Sequence, residues 1–116
     1  GGTFPVELIP SPLLSVGTYD GDPSIAPDGR FLIFHSGRAG GFGAVDLHVS
    51  FPDGKGEWSK PINLGADFNT AADESGAMLS PDGKYLFFVR HSLKKGELFW
   101  VSTRAIEKRA TQQSVP

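Results

Sequence analysis

The sequence predicts an all-β chain built on an internal repeat, and three observations carry that prediction. Residues 24–34 read SIAPDGRFLIF and residues 78–88 read MLSPDGKYLFF, so Pro27, Asp28 and Gly29 recur as Pro81, Asp82 and Gly83, 54 positions on. Fifteen Gly and nine Pro provide frequent turn signals, a spacing that fits many short strands and few helices. Each Pro-Asp-Gly turn also leads into an unbroken apolar run, FLIF in one copy and YLFF in the other, and such a strand needs cover on both faces.

The strands follow in order. Shifting the repeat back places Gly2-Thr3-Phe4 on Gly56-Glu57-Trp58 and Leu8 on Ile62, so the repeat starts at residue 2 and residues 3–9 are expected as a strand. Residues 10–22, rich in Ser, Pro, Gly and Asp, make a long connection. Residues 23–26 form a short strand, Asp28-Gly29 the turn and residues 31–36 the apolar strand; GRAGGFGAV, residues 37–45, is a loop. Residues 46–51 alternate, Leu47, Val49 and Phe51 against His48 and Ser50, which is a strand of period two. After a turn over 52–56, residues 58–64 are the next strand and 65–74 a second polar connection. Strands 76–79, 85–89 and 97–102, separated by the Asp82-Gly83 turn and a loop over 90–96, repeat the earlier order. That loop is three residues shorter than its counterpart, so beyond it the repeat shift falls to 51. Residues 1–103 thus hold two repeat units, and 104–116 are a polar tail or a single helical turn.

With 116 residues, 39% of them hydrophobic, and nine Phe, two Trp and two Tyr, the chain has material for one small domain and not for two. A formal charge of −2 offers no basic field for nucleic acid. Absence of Cys removes disulfides, thiol catalysis and Cys-rich zinc sites. No apolar run is long enough for a membrane-spanning helix, and the sequence opens on Gly1-Gly2 without Met, so a removed leader or a longer N-terminal part is the expectation.

Four antiparallel strands per period, with a nearly all-apolar second strand, is the pattern of a β-propeller blade packed between two neighbours. DGDPSIAPDGRFLIFHS, GRAGGFGAVDLHVSF, EWSKPINLG and SPDGKYLFF followed by GELFWV resemble the Pro-Asp propeller repeats of the TolB-like, WD40-like family over roughly residues 3–107. The resemblance implies a periplasmic or extracellular protein. It also implies blades running A, B, C, D from the centre outward, so that the chain contains D, then A, B, C, D, then A, B, C. Two blades do not close a ring, which takes about four to eight. Alone they would leave two faces wet, carrying parts of Phe31, Ile33, Tyr85 and Phe87 or their alternates, a loss of roughly 6–12 kcal/mol that rivals the stability of a domain. The chain is therefore expected either as the C-terminal part of a longer propeller or as a homo-oligomer, three chains giving six blades as the simplest closure.

Propeller connectivity gathers loops 14–22, 37–45, 66–74 and 90–96 at one end of the blades. That end carries Tyr19, Asp20, Asp22, Arg38, Phe42, Asp73, Glu74, Arg90 and His91, with Lys94 and Lys95, a mixed set suited to polar contacts with a protein or a glycan. Asp28, Gly29, Asp82 and Gly83 read as structural turns, since Asp bonds its own backbone and Gly accepts the left-handed conformation. Asp46, and Glu97 in its place in the second copy, are expected to tie down their loops, Asp46 through Arg38. The acidic pairs Asp20/Asp22 and Asp73/Glu74 lack the interleaved spacing of a calcium loop, so no metal is expected, and GRAGGFG lacks the helix of a phosphate cradle. No cofactor is expected either.

His35-Ser36 and His91-Ser92 are adjacent on strands and point to opposite faces, which excludes proton sharing, and no GxSxG elbow occurs. DGKGEW resembles half of a sialidase-type Asp box, but Lys55 stands where that box has Gly. Trp58 and Trp100 can serve as sugar-stacking platforms or as blade packing. The expectation is a non-enzymatic propeller module that binds or scaffolds a protein partner. Carbohydrate binding, or the propeller part of a hydrolase, are the alternatives.

Overall fold

The apolar run after the first Pro-Asp-Gly turn becomes a strand with no exposed residue. The computed structural model describes residues 20–38 and 40–108. In it β2 (Leu32–Ser36) lies between β1 (Gly21–Ile25) and β3 (Asp46–Ser50), and β4 (Ile62–Asn63) adds beside β3, giving one four-stranded sheet. A second sheet, β5 (Asp73–Leu79), β6 (Tyr85–His91) and β7 (Gly96–Ser102), has three strands. All pairings are antiparallel, and the all-β class holds.

The repeat is visible in the backbone. Gly29 and Gly83 take φ of 77° and 73° in the two Pro-Asp-Gly turns, donating to Ala26 O and Ser80 O at 2.8 Å each. β1 and β5 each bulge, between Gly21 and Ser24 and between Ser75 and Met78. The bulges hold positive φ at Asp22 (48°) and Gly76 (65°), also 54 positions apart. Asp is one of the few side chains that accepts this region, so a different residue makes the same bend in each copy.

β5 packs against β1, β2 and β3. Ala26, Phe31, Ile33, Leu47 and Val49 from the first sheet meet Ala77, Leu86 and Phe88 from the second, with Leu64, Phe68 and Ile106 closing the ends of this core. Each large side chain so buried contributes about 1.5–3 kcal/mol. Leu79 N donates to Ser24 Oγ at 3.1 Å and Arg30 Nη2 to Gly83 O at 3.3 Å, so hydrogen bonds also join the two sheets.

Several boundaries differ from the sequence expectation. Within 58–64 only Ile62 and Asn63 pair with β3, apart from an isolated bridge between Pro52 and Trp58. Ser59 Oγ accepts the Phe51 N–H at 3.0 Å, and Pro61 has no N–H to give, so a regular ladder cannot continue there. Residues 90–96 are not one loop: Arg90 pairs with Glu97 and His91 with Gly96, leaving 92–95 as a tight connection closed by Ser92 N donating to Lys95 O at 2.9 Å. The connection 65–74 yields its last two residues to β5 and buries Phe68 and Asn69, and Gly21 and Asp22 belong to β1. Residues 104–108 are helical with Ile106 fully buried, so the start of the expected tail is part of the core. The strand expected over 3–9 and the loop residue Tyr19 lie outside the described residues.

Of the four side chains Phe31, Ile33, Tyr85 and Phe87, only the second-copy pair is wet. Phe31 and Ile33 are 1% and 0% exposed, whereas Tyr85 and Phe87 are 41% and 45% exposed.

Candidate functional site

The polar residues expected to make a site at the loop end are mostly engaged in holding the loops. Asp46 is buried, and its carboxylate accepts from Phe42 N at 2.6 Å, Gly43 N at 3.1 Å and Asn63 Nδ2 at 3.2 Å. It fixes the Gly-rich loop as expected, but through loop amides rather than through Arg38. Arg38 turns the other way: its Nη2 lies 3.3 Å from Asp20 Oδ1, its Nε donates to Ser36 Oγ at 2.9 Å, and its guanidinium lies 5.3 Å from the Phe34 ring centre. Glu97 sits at the surface, 3.7 Å from Lys95 Nζ.

Glu74 is fully buried. It accepts from Thr70 N, Thr70 Oγ1 and Arg90 Nε at 2.9, 2.7 and 2.9 Å, while Arg90 Nη2 donates to Phe68 O at 2.9 Å and its guanidinium lies 4.4 Å from the Phe99 ring centre. A buried ion pair is tolerable only with its lone pairs and donors satisfied in this way. Asp73 Oδ1 accepts Val45 N at 3.2 Å, tying the second sheet to the Gly-rich loop of the first. Asp22 Oδ2 lies 3.3 Å from His35 Nδ1 without the alignment of a hydrogen bond. Phe42, His91, Lys94 and Lys95 are exposed. The described loop residues are thus joined in pairs rather than gathered around one centre, and among the described residues no three His, Asp or Glu converge.

Asn69 and His48 also carry buried polar roles that sequence reasoning missed. Asn69 accepts Leu47 N at 2.8 Å and donates to Leu47 O and Asn63 Oδ1 at 2.9 and 2.8 Å, locking the connection onto β3. His48 stacks on Phe34 at 5.9 Å and contacts Asp46 O through Nδ1 at 3.0 Å. Burial holds its imidazole below the ordinary pKa, against the opposing pull of that carbonyl.

A continuous unsatisfied surface lies instead on the outer face of the three-stranded sheet. Met78, Phe87 and Trp100 form one cross-strand row, and Val89 pairs with Leu98 beside it. Tyr85 meets the edge of Trp100 at 5.5 Å and 79°. Met78, Leu98 and Trp100 are 67%, 82% and 66% exposed. Together with Tyr85 and Phe87 they make a continuous run of exposed apolar side chains, on the scale of the roughly 300–600 Å² of a monomer's largest and often functional patch.

The repeat gives that patch its meaning. By the shifts of 54 and 51, Tyr85, Phe87, Leu98 and Trp100 stand where the first copy has Phe31, Ile33, Leu47 and Val49, all 1% exposed or less. Those four are covered by the second sheet, and among the described residues nothing covers their equivalents. β7 likewise has no strand on its outer side among the described residues, where β3 has β4. Sequence reasoning marks Trp100, Tyr85 and Phe87 but not Met78 or Leu98, which only the strand register brings into line with them.

At the turn end of this face an open cleft of about 710 Å³ includes Arg30, Lys84, Tyr85, Trp100, Arg104 and Glu107 in its lining. Arg30 Nη1 is bound to Glu107 Oε1 at 2.8 Å. Trp58, the other candidate platform, packs against Leu32 and Phe34, which leaves Trp100 as the more exposed indole. No protein-family model matches this chain, and no curated protein sequence matches it.

Proposed function

We propose that the chain is a non-catalytic binding or scaffolding module of β-propeller type, two blade-equivalents in the order D-ABCD-ABC, whose open β5-β6-β7 face receives another layer of protein. One observation carries this: Phe87 and Trp100 are exposed at repeat positions where Ile33 and Val49 are fully buried by a neighbouring sheet. Burying the five exposed side chains recovers on the order of 1.5–3 kcal/mol for each one fully covered. At the loop end, Asp46, Asp73 and Glu74 are engaged by backbone amides and an arginine, which favours a structural use of those carboxylates over a chemical one. A periplasmic or extracellular setting belongs to the same proposal and rests on the resemblance to TolB-like repeats.

The accessibility of the face is tested with the dye 1-anilinonaphthalene-8-sulfonate on dilute protein. Enhanced dye emission that falls in Leu98→Glu, with an unchanged far-ultraviolet spectrum, is the expected result. Equal emission from the folded variant would place the dye-binding surface elsewhere.

A second reading, carbohydrate binding, is favoured by the cleft beside Trp100, where an exposed indole adjoins charged and hydroxyl side chains. It expects a glycan-array signal that Trp100→Ala abolishes. A blank array with wild-type protein removes it.

A further inference from the structure

We infer that the layer covering the open face is a second copy of this chain, placed by a two-fold axis so that the outer faces of two β5-β6-β7 sheets pack on each other. This deepens the proposal above and rests on its account of that face as a binding surface.

The two ends of the sheet stack differ. On the far side of the first sheet Leu32, Phe34, His48 and Ser50 are 6%, 5%, 4% and 0% exposed, with Trp58 packed on the first two. Their repeat equivalents in the second sheet, Leu86, Phe88, Phe99 and Val101, meet the first sheet across the core. Head-to-tail addition would join the open face of one molecule to the far side of the next. That side is already closed in the single chain, so such addition would first have to uncover it. A stack with one closed and one open end is instead completed by pairing open face with open face, an isologous contact that ends at two molecules.

Area and charge both fit. Two patches on that scale would bury roughly 600–1,200 Å² together when fully covered, which reaches the roughly 1,000 Å² that a specific interface needs. Met78, Tyr85, Phe87, Leu98 and Trp100 are uncharged, so apposing two identical copies of them sets no like charges against each other. Two twisted sheets pack face to face about 10 Å apart with their strands within about 30°, which lets the row Met78, Phe87 and Trp100 interleave with its symmetry mate.

Sedimentation equilibrium over a concentration series tests this. The expected result is a species of twice the chain mass, with a dissociation constant raised at least about tenfold by Leu98→Glu and by Trp100→Glu, both verified as folded. Lys60→Glu, an exposed position outside the patch, should leave it unchanged. Four other outcomes overturn the inference. A trimer or larger species would mean head-to-tail closure. A dimer indifferent to both patch variants would use another surface. A monomer at every concentration that still binds the dye at Leu98 would keep the open face as a binding surface while refuting the second copy; a monomer without dye binding would refute both.

Discussion

Ile33 and Phe87 occupy the same position in two copies of one repeat, yet the first is inaccessible and the second nearly half exposed. The strands around them have the same hydrogen-bonded register, the same Pro-Asp-Gly entry and the same bulge in the preceding strand. The difference lies in the neighbour. β5 covers the Ile33 face, and among the described residues nothing stands in that relation to the Phe87 face. An apolar strand of this kind thus encodes a requirement for a second sheet, which the chain meets once internally.

The core pair gives the largest effect. Ile33→Ala should lose about 2–5 kcal/mol, whereas Phe87→Ala, measured in a Leu98→Glu background to keep the chain monomeric, should lose about 1 kcal/mol or less. A large loss at Phe87 in that background would show that its face is already covered within one molecule.

The two copies also differ at an equivalent acid. Asp20 and Glu74 are repeat equivalents, each paired with an arginine whose guanidinium lies over an equivalent ring, Phe34 or Phe88. Glu74 is fully buried and bonded to Thr70 and Arg90, whereas both partners of the Asp20 pair reach solvent. Glu74→Ala leaves Thr70 N, Thr70 Oγ1 and Arg90 Nε without their acceptor and is expected to cost about 1–3 kcal/mol, more than Asp20→Ala. Urea unfolding measures both. Equal costs would mean that the burial difference between the copies carries no energy.

Much of this was legible before the structure because turns and strands are local. Pro27-Asp28-Gly29 and the run from Phe31 to Phe34 specify a hairpin and a buried strand by residue type alone. The Trp58 strand is shorter than its sequence predicts because Ser59 diverts a backbone donor, a contact that depends on where Phe51 lies. Arg90 and His91 read as loop in sequence because charged residues favour solvent, whereas Arg90 is a strand residue whose charge is answered by Glu74, sixteen positions away. Such long-range pairings leave no periodic trace. For the same reason the loop-end residues looked like a site in sequence and act largely as ties in the fold.

A smaller effect separates the copies by pH. His48 stacks on Phe34 at 5.9 Å and 23°, and the repeat-equivalent Phe99 stacks on Phe88 at 5.8 Å and 19°, so the first copy carries an ionisable ring where the second carries a hydrocarbon. Desolvation by burial is the main cause that lowers the folded pKa of His48 below the ordinary value of 6.5. The unfolded chain therefore takes up the proton first. Stability should fall as pH drops below about 6.5, by no more than about 1.4 kcal/mol per pH unit, until the folded imidazole also protonates. His48→Phe, which installs the second copy's ring pair, should flatten the profile below about pH 6.5, even if the lost contact to Asp46 O lowers stability at neutral pH. An unchanged slope in the variant would assign the dependence to other groups.

The smallest contrast lies in the turns. Asp28 Oδ1 accepts Arg30 N at 3.1 Å and Asp82 Oδ1 accepts Lys84 N at 3.0 Å, but Ser80 adds a hydroxyl donor to Asp82 at 2.7 Å where the first copy has Ala26. That hydroxyl, followed by the Lys84 amide, holds the Asp82 carboxyl below its ordinary pKa. A depressed carboxyl stabilises the fold above the unfolded value, near 3.9, and the gain disappears as pH falls through the folded one. The stability difference between wild type and Asp82→Asn should therefore be greatest near neutrality and vanish in strong acid. Ser80→Ala should move the Asp82 titration, followed by the NMR shift of its carboxyl carbon, back toward the ordinary value. If the titration stays where it was, the backbone amide of Lys84 suffices, and the extra hydroxyl of the second turn carries no electrostatic weight.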